Sequence, residues 1–248
     1  MQRLTFAFLI LGAVLAVGCG DDTGEAFNPN DPNDPSDPGG DFDPSTEVRV
    51  RAFHAAPGGP ALDVLVNDGP IADALAYGES SRYSTAAGGD AVLLVRSDAD
   101  DEDLFAVEQP LTAGATYTVI VAGGDAGILP VVLTDDNAAP PAGQAKVRVV
   151  HAAPSIAEAV DVYVTAPGAD IGTATPTFPD VTFATASSYA ALPAGTHEIR
   201  LTPAGSAEVL VDSGPVELAA GAIRTAVGIE SPQGGAPYSA VLLDDTPE

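Results

Sequence analysis

The chain has 248 residues and carries 35 Asp and Glu against 9 Lys and Arg, for a formal charge of −26. Hydrophobic residues make up 46%, enough to build cores, which excludes a wholly disordered chain. The charge excludes nucleic acid as a partner, since phosphate contacts need clustered Lys and Arg. The single Cys excludes an internal disulfide framework and a Cys-based zinc cluster.

Met1-Gln2-Arg3 gives a short positive start, and Leu4 to Val17 is almost unbroken apolar sequence. At about 14 residues this stretch is shorter than the roughly 20 that a spanning helix needs, and it fits the apolar part of an export signal. Ala16-Val17-Gly18 then leads to Cys19. The run resembles a bacterial lipobox, with Ala16 where Leu is commonest and Leu15 one step earlier. The resemblance implies a lipoprotein signal peptide over residues 1–18, cleavage before Cys19, and acyl chains on its thiol. Each buried CH₂ contributes about 0.8 kcal/mol, so two or three chains hold a protein at a membrane stably. Gly20 follows Cys19, and by the sorting rule of such lipoproteins the expected address is the outer membrane, on its periplasmic or surface face.

Residues 19–46 read as a disordered acidic tether. Pro recurs at 29, 32, 35 and 38, each preceded by Asp or Asn. Pro fixes φ, lacks an amide donor and pushes its predecessor to extended conformations, so neither helix nor ladder forms. Extended in this way, the segment reaches up to roughly 80 Å. Regularly spaced Asp and Asn also suggest calcium, but a calcium loop needs carboxylates that converge, and Pro at every third residue works against convergence.

The rest of the chain repeats itself. Val48-Arg49-Val50-Arg51-Ala52-Phe53-His54-Ala55-Ala56-Pro57 returns as Val147-Arg148-Val149-Val150-His151-Ala152-Ala153-Pro154. Leu62-Asp63-Val64-Leu65-Val66 returns as Val160-Asp161-Val162-Tyr163-Val164. An aromatic, three residues, Ser, one residue, Tyr pattern recurs from Tyr77 to Tyr83 and from Phe183 to Tyr189. The copies end on Leu133-Thr134-Asp135-Asp136 and Leu243-Asp244-Asp245. Four matched anchors in one order make an internal duplication of roughly 95 residues per copy. The copies span 47–136 and 147–248, with the Ala- and Pro-rich stretch 137–146 as linker.

Each copy reads as all-β. In the first, Val48–Phe53, Leu62–Asn67, Leu75–Tyr83, Ala91–Arg96, Leu104–Val107, Tyr117–Ala122 and Leu129–Thr134 are rich in β-branched or aromatic residues. Gly, Pro or Asp separate them. Val48, Val50 and Ala52 alternate with Arg49, Arg51 and Phe53, which predicts a half-buried edge or outer strand. Val119-Ile120-Val121, apolar on both faces, predicts a covered central strand. About seven strands per copy predict two tandem immunoglobulin-like β-sandwiches.

The order of these motifs resembles the domain of unknown function 4397 family, over roughly 48–136 and 147–245. Leu192-Pro193-Ala194-Gly195-Thr196 and Gly114-Ala115-Thr116-Tyr117-Thr118 carry further parts of its pattern; Arg224 replaces the second Tyr. The resemblance implies tandem domains of exported bacterial proteins and offers no catalytic residues.

The repeat markers His54, Asp63, Tyr83, His151, Asp161 and Tyr189 read as structural. A His–Asp pair beside Ser81 or Ser187 would suit a hydrolase, but no Gly-x-Ser-x-Gly elbow is present. An imidazole that caps a strand end serves both copies equally. Tyr83 and Tyr189 are expected to bury their rings and bond backbone through their hydroxyls. Three His, with His197 in an unrelated strand, make no zinc site in one copy. Asp98, Asp100, Asp101 and Asp103 form the best candidate for calcium, although a solvated hairpin tip is the plainer reading. The function expected is therefore non-catalytic, with no cofactor. It is that of a protein held to a membrane through Cys19, presenting two sandwiches to an envelope or extracellular protein. The alternative is a calcium-modulated adhesin or ligand-binding module, and a hydrolase stands third.

Overall fold

The computed structural model describes residues 42–124 and 127–247. The stretches read from the sequence as signal peptide, lipidated Cys19 and tether lie, up to residue 41, outside the described residues. Residues 42–248 make one compact unit, so Phe42 to Thr46, read from the sequence as the end of the tether, belong to the folded part. There Asp43 accepts hydrogen bonds from the backbone N–H and hydroxyl of Ser45, at 2.9 and 2.6 Å, and closes a turn.

All regular structure among the described residues is β. The first copy holds Glu47–Ala55 (β1), Leu62–Val66 (β2), Gly69–Leu75 (β3), Ser84–Ala87 (β4), Gly89–Ser97 (β5), Asp103–Leu111 (β6), Thr116–Gly124 (β7) and Gly127–Thr134 (β8). The second holds Gln144–His151 (β9), Val160–Thr165 (β10), Phe178–Val181 (β11), Thr185–Ala186 (β12) and Ala190–Pro193 (β13). It continues with Gly195–Pro203 (β14), Val211–Leu218 (β15), Ile223–Ile229 (β16) and Ser239–Asp244 (β17). β9 begins inside the stretch 137–146 assigned to a linker.

Each copy is a sandwich. In the first, sheet β4-β1-β7-β8 packs on sheet β3-β2-β5-β6; in the second, β12-β9-β16-β17 packs on β11-β10-β14-β15, with β13 also on β9. β1 runs parallel to β7, and β9 to β16; the remaining pairs are antiparallel. The inward rows are aliphatic: Val48, Val50 and Val119 meet Val64, Leu93 and Val95 in one core, and Val149 and Ala226 meet Val162, Ile199 and Leu201 in the other. This is the tandem immunoglobulin-like arrangement expected.

A third core joins the copies. Phe53, Ile120, Val150, Val227 and Leu243 pack together between the β1 sheet and the β9 sheet. The unit from residue 42 onward is thus a stack of four sheets, and its two middle sheets are covered on both faces. That overturns the reading of β1 as an edge or outer strand. β1 lies between β4 and β7, and from Val50 to Ala55 every residue is buried. Arg51 gave the polar alternation, but the second copy supplies its partner.

The expected strand Leu75–Tyr83 is also corrected. β3 ends at Leu75, Gly78 turns at φ 78°, and β4 begins only at Ser84. Between them Ser81 takes the place of a ladder residue. Its hydroxyl accepts the N–H of Ala52 at 3.0 Å and donates to the carbonyl of Arg82 at 2.9 Å. Ser187 does the same for Val149 and Ser188, and there the kink separates β12 from β13. Each kink turns the following Tyr inward.

Candidate functional site

At the junction of the copies, buried charges close a ring. Arg51 of the first copy pairs with Asp245 of the second, and Arg148 of the second pairs with Asp135 of the first. Arg51 Nε donates to Thr118 at 3.0 Å, and Thr118 donates to Asp135 at 2.8 Å. Arg148 Nε donates to Thr225 at 2.8 Å, and Thr225 donates to Asp245. Tyr83 caps Asp135 at 2.8 Å and Tyr189 caps Asp245 at 2.7 Å, each beneath a guanidinium. Arg51, Arg148, Asp135 and Asp245 are all at most 6% exposed. Every carboxylate oxygen of the ring accepts a hydrogen bond, which is what allows buried charge to persist. Burial pushes the Asp135 carboxyl up, against the pull of Arg148. Burial likewise raises both Tyr hydroxyls above their ordinary range, so they stay protonated as donors.

The ring explains the repeat markers and corrects one expectation. Tyr83 and Tyr189 were expected to bond backbone; they bond carboxylates instead, because the kinks at Ser81 and Ser187 aim them at the junction. In the sequence Arg51 matches Arg148 and Asp135 matches Asp245, with nothing there to join them. Their recurrence at the same places was the available signal.

His54 and Asp63 do not meet, nor do His151 and Asp161. His54 Nδ1 accepts the N–H of Ala56 at 3.2 Å, which leaves Nε2 to donate to the Pro60 carbonyl at 3.0 Å. His151 makes the corresponding bonds with Ala153 and Ile156. Tyr77 and Phe183 stand edge-on to these rings. Burial holds both imidazoles below their usual pKa, neutral and fixed in one tautomer. Asp63 instead accepts the N–H of Ala74, a residue at φ 48°, and Asp161 accepts those of Asp180, at φ 54°, and Gly205.

The four Asp proposed for calcium are not gathered either. Asp103 pairs with Arg96 at 2.8 Å, and Asp100 accepts the Glu102 N–H at 3.5 Å. Asp98 turns away from them: its carboxylate, with those of Asp63 and Asp73, offers oxygens within 4.8 Å of one another. Such a set suits a hard cation with water completing its shell. In the second copy Asp161 gives its second oxygen to the Gly205 backbone, and Pro179 stands in place of Asp73.

A groove of about 410 Å³ opens between β11 and β12. Its walls are edge strands, one carrying Pro179 and the other two residues long, which blunts them against a further strand. Phe178 is buried at its base and the Tyr189 hydroxyl is held by Asp245, so neither offers a free aromatic platform.

The family profile described as Domain of unknown function (DUF4397) matches residues 48–163 and again 155–248. No curated protein matches the chain in sequence. Among solved structures, the chain is similar to a family 26 carbohydrate-binding module from Eubacterium rectale Amy13K in complex with maltoheptaose. That match has 9% identity and a TM-score of 0.24, and covers 82% of this chain and 98% of that one. A family 41 carbohydrate-binding module from streptococcal virulence factors, which recognises α-glucan, matches at 12% identity and a TM-score of 0.25, over 77% and 95% of the two chains.

Proposed function

The chain belongs to the DUF4397 family, in two copies, and from that premise we propose a non-catalytic binding module held to the bacterial outer membrane through acyl chains on Cys19. One observation carries the non-catalytic part. The three repeat markers, each present twice, hold the fold: the His through backbone groups, the Asp through strained backbone, the Tyr through the charged ring. A general base must reach a substrate proton, and these imidazoles are wholly buried. The outer surface is left for an envelope or extracellular protein partner. The test is turnover by the full chain on ester, peptide and glycoside substrates, beside His54→Ala and His151→Ala. We expect no turnover that these changes abolish while the fold persists; such a loss would reinstate the hydrolase. The anchor is tested separately. Cys19→Ser should stop incorporation of labelled palmitate and move the protein out of the membrane fraction.

A second reading, calcium modulation, is supported by the convergence of Asp63, Asp73 and Asp98 in the first copy, the one such set among the described residues. Millimolar calcium should raise the melting temperature of the full chain by a few degrees. Asp73→Asn should remove that rise, and an equal rise in the variant would end the reading.

A further inference from the structure

The two outermost sheets are built alike and covered differently. In the second copy the loop 166–177 crosses the outer face of the β10–β14 sheet. Gly168 donates its N–H to Glu198 at 2.7 Å, Arg200 donates to the Ala169 carbonyl at 2.7 Å, and Ile171 is buried. Beneath this strap Tyr163, Glu198, Arg200 and Thr202 are all buried. In the first copy Asn67-Asp68, both at positive φ, turn directly from β2 to β3, and no strap exists.

The uncovered face is also the more apolar one. By register, Leu65 stands where Tyr163 does, Leu94 where Arg200 does and Val92 where Glu198 does. Pro70, Leu65, Leu94 and Ala106 form a row across all four strands of the β2–β5 sheet. Val92, in the next row, is 45% exposed. Where the sister face has polar groups that tie a strap down, this one has aliphatic side chains, Val92 exposed and Leu65 and Leu94 half-buried. At one end of the face lie the carboxylates of Asp63, Asp73 and Asp98.

We infer that this face docks an extended segment of a partner protein, with an aliphatic anchor on the Leu65–Leu94 row and a Lys or Arg on the Asp63–Asp73–Asp98 end. Three observations select that occupant. The sister face shows the geometry, an extended strap lying across strands with one buried aliphatic residue. The charge of the end selects a cation: three carboxylates lie there beside one guanidinium, that of Arg96, which is already paired with Asp103. The size excludes a globular partner or a second copy, because four strands about 4.8 Å apart and some six residues long offer roughly 400 Å². A stable interface takes about 800 Å² from each partner. A second copy would also oppose −26 to −26.

The inference rests on the reading as a binding module and names its surface. Its test is a random twelve-residue peptide library displayed on phage and selected on the full chain, followed by the enriched peptides in synthetic form. Binders should carry an aliphatic residue and a Lys or Arg. Val92→Glu, at an exposed position, should leave the melting temperature unchanged and weaken them by about tenfold or more. Asp73→Asn should weaken them several-fold and flatten their salt dependence. Binders that hold Val92→Glu undiminished would overturn this surface while leaving a module with another site. A library that yields no binder would overturn it as well. The module reading itself falls only to turnover that depends on His54 or His151.

Discussion

Asp245 is an acid of the second copy whose cation belongs to the first, and Asp135 is the reverse. Removing one partner of such a pair leaves a buried charge unanswered, so Asp245→Asn should cost about 3–5 kcal/mol in urea unfolding. Adding Arg51→Met to it should recover much of that loss, and simple addition of the two costs would show that the ring is not coupled. Tyr83→Phe removes a single donor and should cost about 1–3 kcal/mol. The histidines set a pH dependence. Burial holds their folded pKa values below the ordinary histidine value of about 6.5, so below about that pH the unfolded chain binds more protons than the native one. The melting temperature should therefore fall as pH drops below that point, and His54→Gln should shrink the fall. None of the ring was legible as contacts. Arg51 and Asp245 stand 194 positions apart, and strand periodicity reports which face a side chain takes, not what lies across it.

Among the strands, those rich in β-branched or aliphatic residues with plain turn residues at their ends were legible. β2, β5 and β7 lie close to where composition and Gly or Asp breaks put them. The kinks were not, because Ser81 and Ser187 use a side chain where a ladder uses backbone, and apolar patterning carries no trace of that. Neither was the cover on β1, which depends on a surface in the other copy. A glycine marks one close approach that patterning also misses. A Cβ on Gly123 would sit 2.6 Å from the Cβ of Ala56, where β7 passes the end of β1. Gly123→Ala should cost about 1–3 kcal/mol by overpacking. Ala56→Gly, added to it, should restore part of the loss; a double variant less stable than Gly123→Ala would place the strain elsewhere.

The shared core and the ring make the four sheets one cooperative body. The residues 137–146 allow two sandwiches that are free of each other or packed together, since a short Pro-rich connector fixes no geometry by itself. What fixes it is Phe53, Ile120, Val150 and Val227 packed at the junction, together with reciprocal charge. Calorimetry should show a single transition for residues 42–248, and Asp245→Asn should broaden or split it. Two transitions in the unaltered protein would mean that the junction contributes little.

Reciprocity at the junction also sets what each half is free to change. Arg of each copy on Asp of the other is the bonding of a two-fold symmetric pair of identical subunits, in which every contact is made twice. In a single chain the two halves are separate stretches of sequence. A substitution on the outer face of one half leaves the other as it was, and here one half carries a strap where its twin is aliphatic. A substitution at the axis meets a partner that has not changed with it, so the outer faces can differ between the halves where the centre cannot.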